Sequence, residues 1–224
     1  MKARGTLIVF DIDGTLTDTA GLHGKFIAQC LLDSGVSSFN SDWNSYAHHT
    51  DSHILRHIYE IQNGRAFSKE TIRSYDLLLE RRYRELHKHV PISQITGATD
   101  LLTALAQYEI PFCFATGGLR KSAELKLKAA GIPFDPSQIS AANDFETRIE
   151  IVRDSVRRRA EKSAHPVSRI ISVGDGPWDL ETAQEAGIDF VGVTMNATPP
   201  SFCSSHPVIC SGNQESLLKL LDYL

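Results

Sequence analysis

Hydrophobic positions along the chain follow two rhythms. Short apolar runs, rich in β-branched and aromatic residues, lie at Thr6 to Phe10, Ile110 to Thr116, Gln138 to Ala141, Arg169 to Val173, Asp189 to Val193 and Pro207 to Ile209. Runs of this length, bounded by turn residues, are expected strands. Between them, apolar residues three and four apart predict helices over Asp100 to Gln107, Leu119 to Ala130, Phe145 to Ala164, Asp179 to Ala186 and Ser216 to Leu221. Gly131 and Gly187 stop two of these helices. Strand alternating with helix at this rhythm predicts an α/β fold of right-handed βαβ units, with a parallel sheet covered on both faces.

One long interval breaks the alternation. From residue 18 to residue 91 only helical spacing is found. A first helix begins near Thr19, capped by Thr17 or Asp18, with Phe26, Ile27, Cys30 and Leu31 on one face. A second covers His53 to Glu60 and stops at Asn63-Gly64. A third opens at Ser68, carries Ile72, Tyr75, Leu78, Leu79 and Tyr83 on one face, and ends in basic residues before Pro91. The expected organisation is a sheet domain of residues 1–17 and 92–224 with an all-helical cap, residues 18–91, inserted through hinges near Asp18 and Pro91. An insertion directly after a chemically loaded loop is expected to act as a lid.

Composition narrows the class. The 224 residues are 42% hydrophobic and 22% charged, which excludes disorder and fibres. A net charge of −4 offers no field for nucleic acid or an anionic membrane surface. No run approaches a membrane span, and Lys2 and Arg4 precede too short an apolar segment for a signal peptide, so a cytoplasmic, reduced setting is expected. Cys30 and Cys113 sit in apolar runs as packed thiols, while Cys203 and Cys210 leave a zinc or disulfide role open. Oligomeric state is not legible.

The chemistry concentrates at strand ends. The first apolar run ends in Asp11-Ile12-Asp13-Gly14-Thr15. Strand-like geometry points Asp11 and Asp13 the same way. Two carboxylates this close repel unless a cation lies between them or one is protonated. Such groups at the C-terminal edge of a strand occupy the place where open α/β sheets bind ligands. The second strand ends in Thr116-Gly117-Gly118 before a helix, a hydroxyl and glycine pattern suited to an anion. The fourth ends in Gly174-Asp175-Gly176-Pro177-Trp178-Asp179. Asp175 and Asp179, brought beside Asp11 and Asp13, form a hard-oxygen site suited to Mg²⁺, although Asp179 also suits a helix cap. An acidic residue between the glycines excludes a dinucleotide fingerprint. The cation facing this acidic site is expected to be Arg148, because a helix after Gly118 would carry Arg120 and Lys121 outward. The cluster His48-His49-Thr50-Asp51, with His53, either faces the site and reads the leaving group, His49 foremost, or is a capped helix start with solvated imidazoles. Trp178 either packs or walls the site.

In this order, Asp11-x-Asp13-Gly14-Thr15, Thr116-Gly117, Arg148 and Gly174-Asp175-x-x-x-Asp179 resemble the four motifs of the haloacid dehalogenase-like superfamily, across the whole sheet domain. The helical insertion resembles the cap of its phosphoglycolate phosphatase and β-phosphoglucomutase relatives. The resemblance implies a Rossmann-like, doubly wound core and a Mg²⁺-dependent phosphatase of a small phosphorylated metabolite, a phosphate monoester of phosphoglycolate type. Asp11 would be the nucleophile and Asp13 the acid/base. Mg²⁺ would lie on Asp11, Asp175 and the Asp13 carbonyl, with Asp179 in support. Thr116 and Gly117 would hold the phosphate, with Arg148 offsetting charge. Asp13 is absent from relatives that break carbon–halogen bonds and is replaced in the transport ATPases, so its presence points to phosphatase or phosphomutase chemistry. The Lys-Pro-x-Pro form of the third motif is missing here. A phosphomutase, with Arg56 and Arg65 for a second phosphate, and a non-catalytic phospho-receiver are the alternatives.

Overall fold

A computed structural model describes residues 5–211 and 216–224. Six strands form one parallel sheet: β1 (Thr6–Phe10), β2 (Phe112–Thr116), β3 (Ile139–Ala141), β4 (Arg169–Gly174), β5 (Asp189–Thr194) and β6 (Val208–Cys210). Their order is β3-β2-β1-β4-β5-β6. β1 is central, with Phe10 level with Phe114 on one side and Val173 on the other. The order of connection reverses between β1 and β4, so a crevice opens beyond their C-terminal ends, where such sheets bind ligands.

Alternation along β1 divides the core. Ile8 and Phe10 join one buried cluster with Leu101, Leu105, Phe114, Ile171 and Val193. Leu7 and Val9 point the other way, into a cluster that includes Ile27, Leu31, Leu55, Ile58 and Tyr75. The second cluster therefore runs without a break from the sheet into the helices between β1 and β2.

Those helices are α1 (Ala20–Asp33), α2 (Asp51–His57), continued to Gln62 by a wider turn, and α3 (Lys69–His87). No strand occurs there among the described residues. The chain leaves and returns at one place: the Asp18 amide donates to the Ser93 carbonyl and the Ile95 amide to the Leu16 carbonyl. The remaining helices are α4 (Ala98–Gln107), α5 (Arg120–Ala129), α6 (Arg148–Glu161) and α7 (Pro177–Ala186).

Several element ends differ from expectation by two or three residues, and three differences bear on the fold. The second strand begins at Phe112, just after Pro111, two residues later than its apolar run. α6 starts at Arg148 and not Phe145, because Thr147 and Glu150 form its capping box. The Phe145 and Glu146 carbonyls are instead bonded to the side chains of Ser52 and Thr50. The C-terminal segment Leu217–Tyr223 is a tight 3₁₀ run capped by Ser216 and not an α-helix.

Candidate active site

The loop after β1 turns inside six residues. Gly14 takes φ 83°, and a Cβ there would collide with the Asp175 carboxylate, so the close approach of these two loops requires glycine. The Gly14 amide donates to the Thr17 carbonyl and the Thr17 hydroxyl to the Ile12 carbonyl. This folds Asp11 and Asp13 back over the end of the sheet.

The two carboxylates live in different surroundings. Asp11 is buried, and its Oδ1 accepts from the Arg148 guanidinium at 2.9 Å. Arg148 also clasps Asp179, whose other oxygen accepts from the Gly176 amide. Burial, followed by the neighbouring Asp179 charge, pushes Asp11 up to about 7 against the pull of Arg148. Burial also opposes charge on Asp13, but Lys126, His23 and Thr19 overcome it and hold Asp13 down to about 2. Lys126, fully buried, reaches Asp13 with Nζ at 2.7 and 2.6 Å from its two oxygens. The same ammonium lies 4.8 Å from the centre of the Tyr83 ring.

Lys126 was not expected from the sequence. Its signal is present, however: Ser122, Ala123, Lys126 and Leu127 form the buried stripe of α5. A lysine inside such a stripe has to find a buried partner.

Asp11, Asp175 and Asp179 offer oxygens within 4.8 Å of one another. Asp175 Oδ1 is buried with no hydrogen-bond donor. Its carboxyl is pushed well up by burial and then by Asp11 and Asp179. Three crowded carboxylates with an orphaned oxygen are the donor set of a hard cation, and one guanidinium offsets only part of their charge. The residues fit a divalent metal. The Asp13 carboxylate is outside this cluster, turned to Lys126.

Asp11, Asp13, Thr116, Gly117, His49, Arg148 and Asp175 all border one cavity of about 390 Å³. Asp179 lies behind it, tied to Arg148. The Thr116 hydroxyl accepts from the Gly118 amide at 3.0 Å, leaving its own proton free to donate. Arg120 is turned onto the Ile139 carbonyl and Lys121 is exposed, as the helix geometry predicts.

The histidine cluster divides between a helix cap and the cavity wall. Thr50 caps α2, accepting from the His53 amide. His49 lies flat on Trp178 at 3.6 Å between ring centres, and both line the cavity, so Trp178 walls the site. Burial, then Arg148, pushes His49 down to about 4, so it is neutral. The start of α2 is latched to the loops below it. The Asp51 amide donates to the Gly117 carbonyl, and an Asp51 carboxylate oxygen accepts from the Leu119 amide at 3.0 Å. His23 Nε2 meets the same carboxylate at 2.8 and 3.0 Å, and Nδ1 meets the Tyr83 hydroxyl at 3.2 Å. Burial favours neutral His23, but Asp51 outweighs it and raises the imidazole above its ordinary value.

The arginines offered for a second phosphate are committed elsewhere. Arg56 pairs with Glu146 at 2.6 Å and lies over Phe67, and exposed Arg65 donates to the Gly35 carbonyl. Cys203 packs with Leu180, Ala183 and Phe190, and burial pushes its thiol up to about 11. The metal-competent cluster among the described residues is made of aspartates. No helix among them is long and apolar enough to cross a membrane.

The chain is 26% identical over 198 residues to a phosphoglycolate phosphatase from Agrobacterium fabrum, covering 86% of this chain and 82% of that one. In fold it resembles a hydrolase from Pseudomonas syringae, with TM-score 0.70, 20% identity and 97% of each chain covered. It also resembles a β-phosphoglucomutase from Clostridium difficile, with TM-score 0.66, 20% identity, and 96% and 95% covered. The family model for haloacid dehalogenase-like hydrolases matches residues 8–193. With that match over most of its length, the chain belongs to the haloacid dehalogenase-like hydrolase family of enzymes.

Proposed function

We propose that the protein is a Mg²⁺-dependent phosphatase that hydrolyses a small phosphate monoester through a phosphoryl group carried on Asp11. The observation that carries this reading is the clasp at the end of β1. One guanidinium spans Asp11 and Asp179 beside the orphaned oxygen of Asp175, at the mouth of a cavity of small-molecule size. The phosphatase name of the Agrobacterium relative supports the same class.

Asp11, Asp175 and the Asp13 carbonyl, with Asp179 behind, would hold Mg²⁺, which would supply positive charge to keep Asp11 ionised and to offset the phosphoryl oxygens. Asp11 attacks phosphorus from the end of β1, with Arg148 fixing the carboxylate's orientation. The Thr116 hydroxyl and the Gly117 amide receive the phosphoryl oxygens at the foot of α5, where the helix end favours negative charge. Asp13 moves the proton. Lys126 holds it as a carboxylate, the form that takes a proton from the attacking water in the second half-reaction. Protonating the leaving alcohol in the first half requires Asp13 to arrive protonated, which means loosening its contact with Lys126.

Residues 18–91 act in this reading as a cap. The paired crossings at Asp18–Ser93 and Leu16–Ile95 support two adjacent hinges, and the α2 latch supports a closed roof. Phosphate release from a generic aryl phosphate, dependent on Mg²⁺ and lost in Asp11→Asn, tests the proposal. Isomerised sugar phosphate without free phosphate would move it to a phosphomutase, and a stable phosphoprotein without turnover to a receiver.

A further inference from the structure

The walls of the cavity allow the leaving group to be narrowed. Resting on the phosphatase reading above, we infer that the alcohol released by this enzyme carries no second anionic group, neither a carboxylate nor a further phosphate.

The argument is one of charge. Among the described residues bordering the main cavity, the basic side chains are Arg148, His23 and His49. Arg148 is committed to Asp11 and Asp179 and also donates to the His49 carbonyl. His23 is paired with both oxygens of Asp51. His49 is neutral and stacked on Trp178. A neighbouring cavity of about 450 Å³ shares Asn44, His49, Arg148 and Trp178, and adds His48 together with Glu181 and Glu185. Lys126 borders neither cavity and is bound to Asp13, while Arg56 and Arg65 are spent on Glu146 and the Gly35 carbonyl. After the transferred phosphate has taken its share of Arg148 and the metal, no unpaired cation is left on the wall of the cavity that holds Asp11 and Asp13. A second carboxylate or phosphate would be desolvated beside Asp42 and Asp51 without a counter-charge, a loss no van der Waals contact returns.

What the roof offers instead is a carbon surface with hydroxyl partners. Trp43 lies on Phe39 and Tyr46, with ring centres 6.2 and 6.3 Å away. Gly24 admits its indole against α1, where a Cβ would come within 2.5 Å of Trp43 Nε1. Ile27 and Ile54 continue the apolar wall, and Ser41, Asp42 and Asn44 border it with polar groups. A carbon skeleton bearing hydroxyls fits this lining, as does a planar ring.

Steady-state phosphate release with Mg²⁺ tests the inference on four esters: p-nitrophenyl phosphate, glycerol phosphate, phosphoglycolate and a hexose bisphosphate. The expected result is a kcat/KM for at least one of the first two that exceeds both others tenfold or more. Placing a cation on the wall with Asn44→Arg should lower the KM for phosphoglycolate several-fold relative to that for p-nitrophenyl phosphate. A wild-type enzyme that prefers phosphoglycolate or the bisphosphate overturns the inference and leaves the phosphatase reading standing. No turnover of any ester overturns that reading and this inference with it.

Discussion

The floor and the roof of the cavity are built on opposite principles. The floor, at the ends of β1, β2 and β4, crowds carboxylates against one arginine, one lysine and a hydroxyl, each partly satisfied and partly strained. The roof, from α1, the Trp43 turn and α2, is an apolar wall in which Asp51 is paired with His23. Its buried residues share one cluster with Leu7 and Val9 of the sheet. Under the proposed function, the difference assigns chemistry to the strand ends and selectivity to the helices between β1 and β2. The floor is held by short loops on rigid strands, as reacting atoms require. The roof is held by the hydrogen bonds of the α2 latch and by the core cluster it shares with the sheet.

The largest effect is expected where the floor is broken. Asp11→Asn should lower kcat by roughly 10³-fold or more, with the fold retained on circular dichroism, because the attacking oxygen pair is lost. Asp13→Asn should follow at about 10²- to 10⁴-fold, read as phosphate release under saturating ester. Activity of either variant within tenfold of the parent would erase the functional distinction of the floor.

A second kind of break uses Lys126. Lys126→Met leaves Asp13 without its buried partner, and removing one member of such a pair costs about 3–5 kcal/mol. Its denaturation midpoint should fall accordingly. The double variant Lys126→Met, Asp13→Asn should recover much of that loss, because no charge is then left unpaired. A single variant as stable as the parent would mean that water already satisfies Asp13.

The roof should respond more gently and through pH. His23 has a folded value above its ordinary 6.5, so between the two values the folded protein binds a proton that the unfolded chain has released. Stability from the His23–Asp51 contact is therefore whole below pH 6.5 and is lost as pH rises through the raised value. His23→Asn should flatten that part of the stability–pH curve, measured as Tm from pH 6 to 9, and should raise KM more than it lowers kcat. An unchanged pH slope would show that the latch does not depend on imidazolium.

How much could be read from the chain follows the same division. The floor was legible because its residues sit at the ends of apolar runs: Asp11, Thr116 and Asp175 each close a strand, and parallel strands must bring those ends together. Arg148 was legible by position, since α6 starts at the same edge. The helical character of residues 18–91 was legible from spacing. The partners across the roof, and the lysine of the floor, were not. His23 and Asp51 are 28 residues apart and Lys126 and Asp13 are 113 apart, and no local pattern pairs them. The start of α6 was missed for a related reason: residues 145 and 146 have helix-compatible side chains, but their carbonyls are taken by α2. Arg56 and Arg65 looked like phosphate ligands because composition shows charge and not the partner that neutralises it.

The central claim is that the floor transfers a phosphoryl group through Asp11. Its most direct test is acid quench of the protein during turnover of p-nitrophenyl phosphate with Mg²⁺, followed by peptide mass analysis. The account predicts a phosphoryl group on the peptide carrying Asp11, absent when Mg²⁺ is removed and absent in Asp11→Asn. Rapid turnover with Asp11 unmodified at every quench time, and undiminished in Asp11→Asn, would contradict it.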